Sequence, residues 1–407
     1  MQSEVAVKRA TLLSVALVAA YAALHSAAQT ANPATHGRDA AIALEQQGDN
    51  AGAEAAWRAL LQAHPSSAEA CAHLGLLEAR QEHYSEAVTL YRKALALNPA
   101  MPGLRLNLGL SLFKSGALRA AIDAFVPLLK AEPAASPEAQ RLNTLVAMAH
   151  YGLGEYAAAI PYLRKVTASD PQNLPYRLVL AHSCLWSKQY PCVLDVYRQI
   201  LTLNAESAEA DMLAGEALDE MQDKAGATEQ FRAAVKANPR EPDVHFGLGY
   251  LLWAQNQFDE AAQEFQAELS NSPDHAEAMT FLADCEIQLS RPEDARPLLQ
   301  KALGIDPKLE RALLDMGILD AQAGRKEEAL REFKTAEQLV PTDVNVHWRL
   351  ARLYQSMGKK AEAQAEFDKT SSLHKAANDT IFEKLHEAQA KGKAEASADG
   401  SRQKQSQ

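Results

Sequence analysis

The chain has 407 residues, 47% of them hydrophobic but only 6% aromatic, and it is rich in alanine, the strongest helix former. A formal net charge of -11, from 52 acidic and 41 basic residues, excludes the simple electrostatic route to nucleic acid, which needs a basic surface to displace counterions. Four cysteines are too few for a disulfide scaffold and lack the paired spacing of a zinc site.

In chain order, Lys8 and Arg9 come first, then an uncharged run from Ala10 to Leu24 that ends at Ser26-Ala27-Ala28. This is the layout of a signal peptide over residues 1–28. The run is shorter than the roughly 20 residues that span a bilayer, and small residues stand where a signal peptidase requires them. The expectation is export, to the periplasm or the medium; the alternative is an uncleaved anchor through residues 10–24. Residues 29–38, with Asn32-Pro33 and Gly37, read as a linker.

Prolines then set a period: Pro65, Pro99, Pro133, Pro171, Pro239, Pro273, Pro307 and Pro341 are separated by 34, 34, 38, 68, 34, 34 and 34 residues. The gap of 68 is two periods with Ala205 at the missing proline, and the gap of 38 adds four residues within Ala134–Ala139. Fixed offsets repeat a large–small pair, as in Leu74-Gly75, Leu108-Gly109, Leu248-Gly249 and Met316-Gly317. Twelve residues further on stands a second small residue such as Ala87, Ala121, Ala261 or Ala329, and four later a large one: Tyr91, Phe125, Leu163, Phe231, Phe265, Leu299, Phe333 or Phe367. Offsets 4, 7, 8 and 11 fall on one face of a first helix, and 20, 24 and 27 on one face of a second. Each period therefore predicts a helix hairpin, turned at segments such as Ser115-Gly116 and ended by proline.

On these residues, and on Asn107-Leu108-Gly109 and Tyr84-Ser85-Glu86-Ala87 through Asn98-Pro99 in particular, the chain resembles the tetratricopeptide-repeat family. The resemblance implies an all-α, right-handed α-solenoid of about ten tandem helix-turn-helix repeats over residues 34–377, starting near 34, 68, 102, 140, 174, 208, 242, 276, 310 and 344. Residues 378–390, with Ile381, Phe382 and Leu385 at helical spacing, predict a capping helix, and residues 391–407 a disordered tail. The resemblance also implies a non-catalytic protein-binding scaffold without a cofactor.

Rotating half a turn from the buried offsets gives the groove-facing offsets 2, 6, 9 and 13, flanked by 5 and 12. They carry an apolar and aromatic stripe: Leu106, Asn107, Leu110, Phe113, Met148, Tyr151, Val179, His182, Trp186, Met212, Phe246, Tyr250, Trp253 and Phe281. Either neighbouring first helices cover this stripe, or its aromatics anchor a partner. The same face holds an acidic patch of Glu209, Glu216, Asp219, Glu220, Asp243, Glu277 and Asp284, and turns basic at Arg349 and Arg352. The expected partner is a protein or peptide segment, extended, apolar and locally basic. Self-association, or service as an accessory subunit of an envelope enzyme complex, is the alternative.

Catalytic patterns do not assemble. Ser111 to Lys114 and Ser356 to Lys359 have serine–lysine spacing without companion motifs, and no two histidines are placed to share a metal on one helix face. A carboxylate clamp would use Asn107, but the equivalent offsets hold His73 and Leu145. Cys184 and Cys192 lie on opposite sides of one hairpin turn, so they are either a disulfide or two packed thiols.

Overall fold

The computed structural model describes residues 33–204 and 206–376. The expected signal peptide, capping helix and tail lie outside these residues, as do Ala205 and the linker before Pro33. All regular elements among the described residues are α-helices, and two compact units divide between Val196 and Tyr197.

The first unit holds α1 (Pro33–Gln47), α2 (Asn50–Ala63), α3 (Ala68–Arg80), α4 (Tyr84–Leu97) and α5 (Leu104–Lys114). It continues with α6 (Leu118–Ala131), α7 (Pro137–Gly152), α8 (Tyr156–Ser169) and α9 (Leu174–Trp186), and α10 (Tyr190–Leu201) contains the boundary. The second unit holds α11 (Ala208–Glu220), α12 (Lys224–Ala237), α13 (Val244–Ala254), α14 (Phe258–Asn271) and α15 (Ala276–Gln288). After them come α16 (Pro292–Ile305), α17 (Glu310–Gln322), α18 (Lys326–Leu339), α19 (Val344–Ser356) and a helix over 360–376, α20. Consecutive helices pair as antiparallel hairpins, odd-numbered first and even-numbered second. Residues 33–38, read above as linker, are instead helical and belong to α1.

The periodic proline acts through its predecessor. Where present, it follows the C-cap residue of the second helix, for example Asn98 before Pro99 and Asp306 before Pro307, and proline disfavours the helical conformation in the residue ahead of it. Asn98 accordingly leaves the helix at φ -142°, ψ 89°. The four additional residues before α7 extend that helix backward, with Ser136 capping the Ala139 N–H.

Inside the hairpins, the large–small pattern is a size match. A Cβ placed on Gly109 would stand 2.5 Å from the Phe125 ring, and the same construction gives 2.6 Å for Gly215 and Phe231, 2.8 Å for Gly249 and Phe265, and 2.5 Å for Gly317 and Phe333. Alanine at the same position faces Leu163 from Ala147 and Leu299 from Ala283, but Trp57 from Ala41 and Phe367 from Ala351. Each glycine here is thus matched by a ring set against its bare backbone, whereas alanine faces either a leucine or a ring.

The turn inside each hairpin uses one left-handed residue. Glycine fills it at Gly48, Gly116, Gly154, Gly324 and Gly358, whereas Glu82, Lys188, Gln222, Asn256 and Ser290 hold φ between 59° and 66°. The sequence locates these turns without revealing that half of them hold a β-carbon in a conformation that favours glycine.

Candidate functional site

The groove-facing residues divide by what covers them. Within a unit, first helices of neighbouring repeats touch one another as well as their own hairpin partners in several places, as α3 does α5, α13 does α15 and α17 does α19. Offsets 6 and 9 are therefore partly interior, and the stripe is in part packing. Leu106, Asn107, Leu110, Phe113, Met148, Val179 and Met212 are half-buried, with Leu106, Leu110 and Phe113 packed on the core of their unit.

In the first unit four rings gather at the end of α9. Trp186 is 48% exposed and lies 4.6 Å from Tyr156, 5.0 Å from His182 and 5.9 Å from Tyr151, measured between ring centroids. Just beyond, Cys184 and Cys192 are joined by a disulfide with Cα atoms 5.7 Å apart, bridging α9 and α10 across their turn. Arg164 also lies against Cys192, at 3.3 Å.

The second unit builds a longer aromatic group from α13 and α15. Phe281 packs edge-on against Tyr250 at 5.5 Å and against Trp253 at 5.0 Å, and Phe246 joins at 5.9 Å. Tyr250 is 40% exposed and Trp253 half-buried. The Trp253 Nε1–H donates to Asp284 Oδ2 at 2.6 Å, and the Arg311 guanidinium stacks over the same indole at 5.0 Å. Arg311 donates to Asp284 at 2.5 Å and, less closely, to Asp315 at 3.4 Å. One cation thus serves two carboxyls. Burial, reinforced by the nearby Asp284 charge, pushes the Asp315 carboxyl up to about 8. Burial works against Arg311's charge, but Asp315 and Asp284 outweigh it and leave its pKa raised.

Asp284 corrects the expected acidic patch: it is 2% exposed and neutralised from within. Its offset faces the next first helix, which supplies Arg311, so position on one helix could not identify it as interior. Asp219 is likewise held by Lys224 at 2.5 Å, and Asp243 accepts from His275 at 3.2 Å. Glu216, Glu220 and Glu277 are exposed and Glu209 half-buried. The patch is accordingly thinner than the sequence suggests.

Trp348 on α19 is an addition to the predicted stripe. It is 41% exposed, with the Arg349 and Arg352 guanidinium carbons 5.1 and 5.6 Å from its ring. Its signal in the sequence is an aromatic at flanking offset 5 with arginines one and four residues on.

Among the described residues, two clusters bring three possible metal ligands within 4.8 Å of one another. In the first, Asp243, Glu268 and His275, the Ala278 N–H donates to His275 Nδ1, so the imidazole proton resides on Nε2 facing Asp243 and the ring serves as a helix cap. In the second, Glu337, His347 and Glu366, Lys334 and Lys369 bridge the two glutamates and already supply the positive charge. Against burial, those lysines hold the Glu337 carboxyl below its ordinary range, and the His347 hydrogen bond, joined by Lys369 and Lys334, does the same for Glu366.

One tetratricopeptide-repeat family model matches residues 38–102, 106–173, 212–275 and 246–310, and a second matches 287–336 and 320–376. These matches cover more than half the chain, which therefore belongs to the tetratricopeptide-repeat family, whose repeats generally mediate protein–protein interaction without catalysis. The chain is 23% identical over 334 residues to "DnaJ protein P58IPK homolog A" of Oryza sativa subsp. japonica, covering 78% of this chain and 63% of the relative. To "DnaJ homolog subfamily C member 7 homolog" of Schizosaccharomyces pombe it is 22% identical over 342 residues, covering 75% and 70%. It thus spans less than two thirds of the rice relative. Among solved structures, YrrB, described as a TPR protein with an unusual peptide-binding site, is 19% identical, with 44% of this chain and 91% of that chain covered and a TM-score of 0.37.

Proposed function

We propose that this chain is a non-catalytic scaffold that holds an extended segment of a partner protein against the first helices of its repeats. The observation that carries this reading is the Tyr250–Trp253–Phe281 group, whose outer ring is solvent-exposed while the inner indole is fixed by Asp284 and Arg311. A ring immobilised before binding loses little entropy on contact, which is how aromatic anchors contribute disproportionately to recognition. Export to the cell envelope is part of the proposal, supported by the charged and apolar layout of residues 1–28 and by the Cys184–Cys192 disulfide, a bond that persists in oxidising compartments.

The test is a photo-crosslinking residue at position 250 in intact cells, with trapped proteins identified by mass spectrometry, beside Tyr250→Ala in a pull-down. A reproducible trapped partner whose capture falls about ten-fold in Tyr250→Ala is expected, the size of a single aromatic anchor. Capture unchanged by the substitution would remove this face from the function, and fractionation of the native protein with cytosolic markers would remove the export claim.

A further inference from the structure

We infer that α19 carries a docking station for acidic side chains of the partner segment, formed by Arg349, Arg352 and the face of Trp348. The inference rests on the protein-binding reading above and adds the charge of the partner at the far end of the second unit. It also reverses, for this stretch, the basic partner expected from the acidic patch.

The arginines of the second unit show why Arg349 stands apart. Arg311 is shared by Asp284 and Asp315, and Arg296 and Arg325 converge on Asp320. Arg349 is half-buried like Arg311 and Arg296, yet among the described residues no carboxylate lies within ion-pair distance of it; its neighbour is the Trp348 ring. Burial keeps its pKa below the ordinary arginine range, opposed only by the more distant Asp315. Asp315 has Arg311 as its hydrogen-bonded partner and so leaves Arg349 uncompensated.

A partly desolvated cation without a counterion is held at a cost, and the cost is compounded here by a second guanidinium, Arg352, against the same ring. An incoming carboxylate removes both penalties, since two guanidiniums offer it charge-assisted and bidentate hydrogen bonds. The exposed Trp348 face gives the residue beside that carboxylate an apolar surface to lie on. Contact between α17 and α19, and the run of Trp253, Arg311 and Asp315, make this station continuous with the aromatic group. The best occupant is therefore an extended peptide with apolar or aromatic side chains toward α13 and α15 and Asp or Glu side chains toward α19.

The full chain would be panned against a phage-displayed random peptide library in parallel with Arg349→Gln/Arg352→Gln and with Tyr250→Ala/Trp253→Ala. The wild type should enrich peptides that combine Asp or Glu with Leu, Phe or Tyr. Synthetic versions should bind about ten-fold or more tightly than their Glu→Gln counterparts, with affinity falling as salt is raised. The arginine double variant should lose the acidic enrichment and keep the apolar one. Because Arg349 is unpaired, Arg349→Gln should fold with an unchanged or higher Tm, which separates lost binding from lost structure. Enrichment of basic or charge-neutral peptides, or an acidic preference surviving the arginine double variant, would overturn the station while leaving the groove intact. Absence of any enrichment, or enrichment indifferent to Tyr250→Ala/Trp253→Ala, would overturn the station and the groove reading together.

Discussion

Trp186 of the first unit and Trp253 of the second unit are alike in the sequence, each near the end of a first helix and on its groove side. They occupy offsets 13 and 12 of their repeats, and one residue is a rotation of about 100° around a helix. That rotation leaves Trp186 48% exposed among other rings, whereas Trp253 turns toward the next first helix and donates to Asp284 under Arg311. The first group is an accessory aromatic surface, and the second is a surface wired into the inter-repeat packing. Changes in the second should therefore affect stability and binding together, and changes in the first should affect surface contacts alone.

The largest expected effect breaks the wired side. Arg311→Met removes the shared cation and leaves Asp284 and Asp315 facing each other in the interior. Stranding one half of a buried pair costs about 3–5 kcal/mol, and the partial exposure of Arg311 places this case nearer 2–4 kcal/mol. Hydrogen exchange should locate the loss in α13, α15 and α17. Trp186→Ala, by contrast, should cost under about 1 kcal/mol, as surface substitutions do. Equal losses from the two substitutions would erase the distinction between the groups.

The next effect asks whether the hairpins of both units are held by the same size match. Gly109→Ala in the first unit and Gly317→Ala in the second each bring a methyl to about 2.5 Å from a fully buried phenyl ring, Phe125 or Phe333. Overpacking of this kind costs about 1–3 kcal/mol. The paired changes Gly109→Ala/Phe125→Leu and Gly317→Ala/Phe333→Leu copy Ala283 with Leu299 and should recover much of that loss, read as Tm. No recovery would mean that the alternation is incidental.

These pairs also show which parts of the molecule the sequence discloses. Contacts within a hairpin recur at fixed separations of 12 and 16 residues, so a single period exposes them, and the proline marks eight of the boundaries through its effect on the preceding C-cap. Contacts between repeats depend on the rotation from one hairpin to the next, which no local pattern records. Asp284 therefore reads as a surface acid although it is interior, and Trp348 goes unnoticed although its arginines stand beside it in the sequence. The candidate anchors at Tyr250, Trp253 and Phe281 are visible in the sequence as aromatics of one face, but the Trp253 hydrogen bond to a buried acid is not.

A third effect is pH-dependent and confined to the second unit. The folded-state pKa of Asp315 is pushed up to about 8 by burial and Asp284, and that of Glu332 to about 7 by burial and Asp320. Both exceed an unfolded value near 4, so the folded state binds more protons between those limits. This contribution is fully present below about pH 4 and is lost as pH rises through 7 and 8. Asp315→Asn, which keeps the shape without the charge, should flatten the decline in Tm between pH 4 and 8. A decline of unchanged slope would place the responsible group elsewhere.

The smallest effect tests the turns, which ignore the contrast between the units. Lys188 in the first unit and Gln222 and Ser290 in the second hold φ of 59°, 66° and 64° at the position that Gly116, Gly154 and Gly324 fill elsewhere. A β-carbon there is strained by about 1 kcal/mol, and glycine relieves the strain while making the unfolded chain more flexible. The two terms oppose, so each of Lys188→Gly, Gln222→Gly and Ser290→Gly should gain only a few tenths to about 1 kcal/mol. Because nearest-neighbour repeats share stability, the gains should add when combined. A gain in one unit with a loss in the other would show that the turns differ between units as the aromatic groups do.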